Sequence, residues 1–334
     1  MRCLVLAEAL RARGWECEFL TGEDSLAVVP HLARSAHEIT TLACNRLSDP
    51  DTLTERLHTP ATLIIIDHYG LDATYESRLR GIAEMVLVID DLADRPHDCD
   101  ILLDQTLGRD ANTYKNLVPE HCQVLTGSRH ALLRPGFAAI RNNALTRRRQ
   151  MPAVTRILVS MGMTDPANDT CTALNAIQSV GPDAAIDVIL GPGAPHLAKV
   201  RAKAGSMSLK VTVHVDPTDV AGLVADADIA IGAGGSASWE RCCLGLPTLV
   251  FAYGPVQELV VQELHHAGAI ELVPPGTGPD DHRLAAALHR LVTDDKHRLK
   301  MALAAGAICD GLGANRIVEA LKTRTKPQFS KSGH

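Results

Sequence analysis

The stretch from Ala227 to Phe251, A-D-I-A-I-G-A-G-G-S-A-S-W-E-R-C-C-L-G-L-P-T-L-V-F, constrains this chain more than any other. Ile229–Ile231 is a short apolar run of the kind that forms a buried parallel strand. Gly232, Gly234 and Gly235 follow, then a helix with Ser236 at its cap position, then a second apolar run at Thr248–Phe251. A strand that turns through glycines straight into a helix leaves unpaired backbone N–H groups aimed at one place. The helix dipole adds partial positive charge there, which suits a phosphate. Glycine lets an anion approach the backbone and tolerates positive φ, which some of these positions are expected to need. Glu240 lies four residues beyond Ser236, on the same helix face one turn on. A carboxylate there can accept hydrogen bonds from a ribose diol. The pattern reads as a nucleotide-diphosphate site, the alternative being a glycine turn that only packs a helix closely on its strand. It is not a G-x-G-x-x-G motif in the first βαβ unit, so a dinucleotide-binding fold is not implied.

The remaining composition narrows the partners. A chain of 334 residues accommodates two α/β domains. A net charge of −6 gives no electrostatic reason to expect nucleic acid or an anionic membrane. Aromatic residues at 3% leave little for stacking platforms. Nine scattered cysteines without C-x-x-C spacing fit a reduced, cytoplasmic protein, and no His/Cys cluster has zinc-ligand spacing. No apolar run approaches the roughly 18 residues of a membrane span, and no metal or cofactor is expected.

Taken in order, Met1–Arg13 reads as an amphipathic helix closed ahead of Gly14, followed by a strand at Cys17–Leu20. A helix is expected at Asp24–Ser35 and another at Asp51–Leu57. An α/β chain that starts on a helix leaves a parallel strand edge unpaired or a gap in the sheet. The near-continuous apolar runs Ala61–Ile66 and Met85–Ile89 predict strands buried on both faces. They end at Asp67-His68-Tyr69-Gly70 and at Asp90-Asp91, and open α/β sheets place ligands at such strand ends. Further strands fit Ile101–Leu103 and Gln123–Leu125. The basic run Arg147-Arg148-Arg149 reads as a solvated linker, which puts the domains at 1–142 and 153–321 with a linker at 143–152 and a flexible tail at 322–334. In the second half, strands are expected at Arg156–Ser160, Ala185–Leu190, Lys210–His214, Asp228–Ile231 and Thr248–Phe251. A second strand–loop–helix junction, Ser160–Asn168, places Asp165 as a cap and Pro166 in the first helical turn, with the Asn168 amide free to face a cleft between the domains. His97 and Arg95 could face that cleft or cap their own loop, and His214 reads as a packed core residue.

Four motifs, I-G-A-G-G-S-A-S-W-E-R-C-C-L-G-L-P, S-M-G-M-T-D-P-A-N, D-H-Y-G-L-D and D-D-L-A-D-R-P-H-D-C-D, carry a resemblance. With them the chain, from Met1 to about Leu321, resembles the UDP-2,4-diacetamido-2,4,6-trideoxy-beta-L-altropyranose hydrolases of pseudaminic acid biosynthesis. The resemblance implies an α/β, GT-B-like fold of two Rossmann-type domains facing a central cleft, related to the transferase that forms lipid II. It implies a metal-independent reaction in which water displaces UDP from the anomeric carbon of a UDP-activated diacetamido sugar. On it, Glu240 binds ribose, Gly234, Gly235 and Ser236 bind the pyrophosphate, Asp165 and Asn168 border the nucleotide-sugar, and Asp67 and Tyr69 contact the sugar. Members of that family open with a strand and a G-x-G-H-x-M-R loop whose histidine is the general base. Met1-Arg2 matches the end of that loop, so the first strand of the N-terminal domain and the histidine are missing from this chain, and His68 is the one weak stand-in. A glycosyltransferase of the same architecture and a non-catalytic nucleotide-sugar binder are the competing readings.

Overall fold

A computed structural model of the chain describes residues 1–57, 59–252, 254–273 and 282–324. The chain divides into two compact units, Met1–Leu132 together with Leu312–His334, and Leu133–Gly311. Among the described residues each contains parallel strands only.

In the first unit, β1 (Glu18–Gly22) pairs with β2 (Glu38–Leu42) as a separate two-stranded ribbon. The strands β3 (Ile64–Ile66), β4 (Val86–Ile89), β5 (Ile101–Asp104) and β6 (Gln123–Thr126) form a four-stranded sheet in that order. The apolar stripe of the helix Arg2–Arg11 places Val5, Leu6 and Leu10 against Leu87, Ile89, Ile101 and Leu103. The helix predicted over Asp24–Ser35 is two short ones, Ser25–Val28 and Pro30–Ala33, because Pro30 cannot donate to the helix before it.

The last helix, Gly313–Lys322, inserts Ala314, Ile317, Val318 and Leu321 into this same core. The expected boundary at 321 is therefore corrected. The i, i+3, i+4, i+7 spacing specifies an apolar face, but the chain must return across the molecule before that face meets its sheet. The expected linker is corrected as well: 143–149 belongs to the helix Pro135–Arg149. Arg148 in its last turn is buried, donating to the carbonyls of Val224, Ala225 and Ala227. Of the expected tail, residues 325–334 lie outside the described residues.

Among the described residues of the second unit, six parallel strands run in the order β12-β11-β10-β7-β8-β9. They are β7 (Arg156–Ser160), β8 (Ala185–Leu190), β9 (Val211–Val215), β10 (Ile229–Ala233), β11 (Thr248–Phe251) and β12 (Glu271–Val273). The chain builds outward from β7 on one side as far as β9, then crosses back to lay β10 against the other edge of β7. That reversal defines a switch point between β7 and β10, where the loops leaving the two strands part to opposite faces and open a crevice. At the opposite, amino-terminal ends of the two strands, buried Asp228 accepts from the N–H groups of Thr155 and Arg156 and pairs with Arg147. Among the described residues no helix is long and apolar enough to cross a membrane.

Candidate functional site

Both junctions singled out in the sequence flank this switch point, since Gly232 of β10 stands beside Ser160 of β7 in register. The three glycines of the β10 turn serve different purposes. None of Gly232, Gly234 or Gly235 has positive φ, so the expected left-handed backbone is corrected. A Cβ on Gly232 would lie 2.8 Å from the Ser160 carbonyl oxygen, and one on Gly234 would lie 2.3 Å from Val261 Cγ2. These two glycines allow close packing. Gly234 also donates its N–H to the Phe251 carbonyl at 2.9 Å, so it offers no free amide. Gly235 differs: a Cβ there would meet nothing within 4 Å, and neither its N–H nor that of Ser236 has a partner among the described hydrogen bonds. Ser236 occupies the cap position of the helix Ala237–Cys243 but its hydroxyl makes no capping bond, which leaves it free to turn outward.

A prediction separates the two roles. Gly234→Ala is expected to destabilise the second unit by about 1–3 kcal/mol through overpacking against Val261. Gly235→Ala is expected to leave the unfolding midpoint unchanged and to weaken binding of a diphosphate ligand. Urea denaturation and titration of the two variants with UDP check both halves.

Beneath the turn lies Arg241, only 3% exposed. Its Nη2 donates to the Ala233 carbonyl and the Ser238 hydroxyl, while Nε and Nη1 have no partner. It forms no salt bridge among the described residues, and burial pushes its pKa down to about 10, against the favourable field of Glu240. A buried guanidinium without a counter-ion makes the crevice attractive to an anion. One turn on, Glu240 accepts from Arg134 Nη2 at 3.3 Å. Burial holds the Glu240 carboxyl above its ordinary range, against the pull of Arg134 and Arg241.

At the β7 junction the helix starts at Asp169, later than the sequence implies, and Pro166 lies in the loop. Asp165 is 3% exposed, and its carboxylate accepts from the N–H groups of Asp169 and Thr170 at 2.9 and 3.0 Å. It holds the helix start rather than offering oxygens outward. Asn168 takes the cap position in the left-handed region, φ 59°, and its Oδ1 is buried with no partner.

In the first unit, the ends of β3 and β4 carry a cluster built around Arg2, which the sequence places at the end of the family's opening loop without indicating its carboxylate partners. Arg2 grips Asp67 through Nε at 3.0 Å and Nη2 at 2.6 Å, and reaches Asp91 through Nη1 at 3.0 Å. Burial alone would raise the Asp67 pKa, but the Arg2 bonds outweigh it and hold it below the ordinary carboxylate range. A carboxylate so depressed contributes stability above its unfolded pKa and loses it as pH falls through the folded value. The chain is thus expected to lose stability below about pH 4, where unfolded aspartates protonate. In Asp67→Asn this acid limb of the melting-temperature profile should be shallower.

Tyr69 is 55% exposed and donates to Asp91 at 3.3 Å. His68 Nδ1 accepts from the Gly70 N–H at 3.0 Å, which leaves the proton of the neutral ring on Nε2. Its outward nitrogen is then a donor, unsuited to removing a proton from water. Asp90 and Asp91 do not act as a pair. Asp90 turns inward to Tyr114, the Ala93 N–H and Arg95. His97 is 2% exposed and bonds Glu76 at 2.8 Å, while Arg95 donates to the Leu71 carbonyl, so both brace loops. His214 pairs with Asp187 at 2.7 Å rather than packing in the core.

The chain matches no protein-family model. Spore coat polysaccharide biosynthesis protein SpsG of Bacillus subtilis is 26% identical over 213 residues, 61% of this chain and 60% of that protein. Uncharacterized protein MJ1062 of Methanocaldococcus jannaschii is 25% identical over 199 residues, 58% of this chain and 41% of that protein. The UDP-2,4-diacetamido-2,4,6-trideoxy-beta-L-altropyranose hydrolase of Campylobacter jejuni is 37% identical over 75 residues, 22% of this chain and 27% of that protein. The chain thus spans between 27% and 60% of the lengths of these relatives.

Among solved structures, MurG of Acinetobacter baumannii superposes with a TM-score of 0.64 at 12% identity over 96% of this chain and 95% of that one. A putative UDP-N-acetylglucosamine 2-epimerase from Listeria monocytogenes gives 0.62 at 15% identity, over 99% and 95% of the two chains. Os79 from O. sativa in complex with UDP gives 0.67 at 11% identity, over 97% of each. These likenesses establish the fold. The chain is an α/β protein of GT-B-like fold with two Rossmann-type units, as the resemblance implies.

Proposed function

We propose that the second unit binds the UDP moiety of a nucleotide-sugar at the β7–β10 switch point and that the protein processes that UDP-sugar. The observation that carries this is the pairing of open amides at Gly235 and Ser236 with the unneutralised Arg241 beneath them, one helical turn from Glu240. In this reading the two amides and the Ser236 hydroxyl hold the diphosphate, Glu240 accepts from the ribose hydroxyls, and the Asn168 amide borders the sugar. Gly234 shapes the turn and Asp165 holds Asn168 in place, neither contacting the ligand. The solved neighbours described as UDP complexes share the fold and support the choice of nucleotide.

The reaction proposed is hydrolysis of a UDP-2,4-diacetamido-2,4,6-trideoxy sugar. Water adds to the anomeric carbon, the bond from that carbon to the diphosphate oxygen breaks with its electron pair leaving on UDP, and the water proton is released to bulk solvent. Fixed donors at the turn stabilise the charge that develops on the leaving diphosphate. The 75-residue match to the Campylobacter hydrolase supports this chemistry. Transfer of the sugar to a hydroxyl acceptor is the second reading, favoured by the likeness to MurG.

Incubating the protein with the UDP-sugar and measuring released UDP tests the choice. Release without acceptor supports hydrolysis, and release only when an acceptor is added supports transfer. Calorimetric binding of UDP without turnover reduces the reading to a binder, and no heat with UDP overturns it.

A further inference from the structure

Arg134 stands just before the helix Pro135–Arg149, at its cap position, with extended rather than helical backbone, φ −58° and ψ 142°. Its guanidinium lies over the Phe137 ring, 5.5 Å from the centroid, and Phe137 is fully buried. The ring's quadrupole attracts the cation and so fixes where the guanidinium stands. From that seat Nη2 donates to Glu240 Oε1 at 3.3 Å, a contact between residues 106 apart in the chain. Glu240 Oε2 has no partner among the described residues, and the side chain is 21% exposed. One oxygen of the carboxylate is therefore anchored and the other is presented.

The same contact acts on charge. Burial favours the neutral carboxyl of Glu240, and Arg134 opposes it more strongly than Arg241 does. The other charged groups on the elements packed around this helix are committed elsewhere. Arg241 turns to the Ala233 carbonyl and the Ser238 hydroxyl, and Arg141 to the carbonyls of Cys243 and Gly306. Arg298, buried on the helix Asp295–Ile308, donates to the carbonyls of Leu291 and Pro152. Asp310 and Asp226 act on Cys243 and on Arg148. We propose that Arg134 is the positioning residue of the nucleotide site: it anchors Glu240 Oε1 so that Oε2 accepts from the ribose hydroxyls, and it acts through Glu240 rather than on the ligand. A neutral carboxyl would offer one O–H and lose part of that acceptor capacity. The inference rests on the nucleotide reading above and names the residue on which its ribose contact depends.

The test compares the unsubstituted chain with Arg134→Gln, Arg134→Lys, Glu240→Gln and the double variant of Arg134→Gln with Glu240→Gln. The Glu240 carboxyl is titrated by carbon-detected NMR in the ligand-free protein, with Glu240→Gln identifying its signal. Calorimetry with UDP and 2′-deoxy-UDP follows over the acid-to-neutral range. In Arg134→Gln the carboxyl titration is expected to move up by about one pH unit or more, because a neighbouring positive charge is lost. The pH at which UDP affinity falls should move with it, and the preference for UDP over 2′-deoxy-UDP should narrow. Arg134→Lys restores the charge and should return the titration most of the way. In the Glu240→Gln background, Arg134→Gln should change UDP affinity by less than about twofold, as expected of a residue that works through the other. An unmoved carboxyl titration overturns the proposal. So does a further loss in the double variant, which makes Arg134 a ligand contact, or an equal loss for both nucleotides, which marks a change of fold. If the unsubstituted chain binds no UDP, the nucleotide reading falls and this assignment with it. The ligand-free titration tells the two failures apart, since it moves only if Arg134 governs Glu240.

Discussion

Replacing Glu240 with alanine is expected to raise the dissociation constant for UDP about 10- to 100-fold. The physical reason is the loss of hydrogen bonds from ribose hydroxyls to a charged acceptor, worth about 1.5–3 kcal/mol. Glu240 sits in the helix Ala237–Cys243, packed behind the turn, and accepts from Arg134. Truncation therefore removes the acceptor without displacing the turn. Glu240→Gln keeps the shape and removes the charge, so calorimetry on both variants divides the effect between the two. A pH series adds an independent readout. Burial holds the Glu240 carboxyl above its ordinary range. Its protonation on acidification thus begins at higher pH than for a solvated glutamate near 4.3, and UDP affinity should fall as pH drops through that raised value. In Glu240→Gln this dependence disappears. Unchanged UDP affinity in Glu240→Ala removes the ribose assignment.

Arg148→Ala is expected to cost the second unit about 2–6 kcal/mol, since two buried carbonyls lose their donor at about 1–3 kcal/mol each. The Arg148 fork holds the last carbonyls of the helix Val220–Asp226, accepting groups at Val224, Ala225 and Ala227 that no further turn of helix satisfies. Burial, reinforced by neighbouring Arg147, lowers its pKa to about 10, so it remains charged at neutral pH. Removing it strips the Val224 and Ala225 carbonyls of their side-chain donor at a buried helix end, leaves Ala227 to Arg147 alone, and opens a hole where the guanidinium lay. Lysine should not rescue the loss, because a single ammonium cannot reproduce the planar fork. Denaturant unfolding of the alanine and lysine variants checks both statements. A midpoint within error of the unsubstituted chain would show that water satisfies those carbonyls instead.

Much of the second unit was legible in the sequence because its signals are local. Runs such as Ile157-Leu158-Val159 and Leu249-Val250 are buried on both faces wherever they sit in a parallel sheet, and their strands fall where the apolar runs predict. The spacing from Ser236 to Glu240 is likewise a property of any helix. The edge strands β2, Glu38–Leu42, and β12, Glu271–Val273, escaped notice because a strand covered on part of its surface carries a mixed pattern. The pairing of Arg2 escaped because its carboxylate partners lie 65 and 89 residues away.

The sequence by itself determined an α/β protein of alternating apolar runs and helices, with a glycine turn able to approach an anion. Only the tertiary structure decided which glycine keeps a free amide, that Asp165 is committed to its own helix, that Arg148 is buried, and that the final helix covers the first unit. Periodicity and spacing depend on a few neighbouring residues, whereas hydrogen-bond partners and burial depend on strand order, and strand order is set by contacts between residues far apart in the chain.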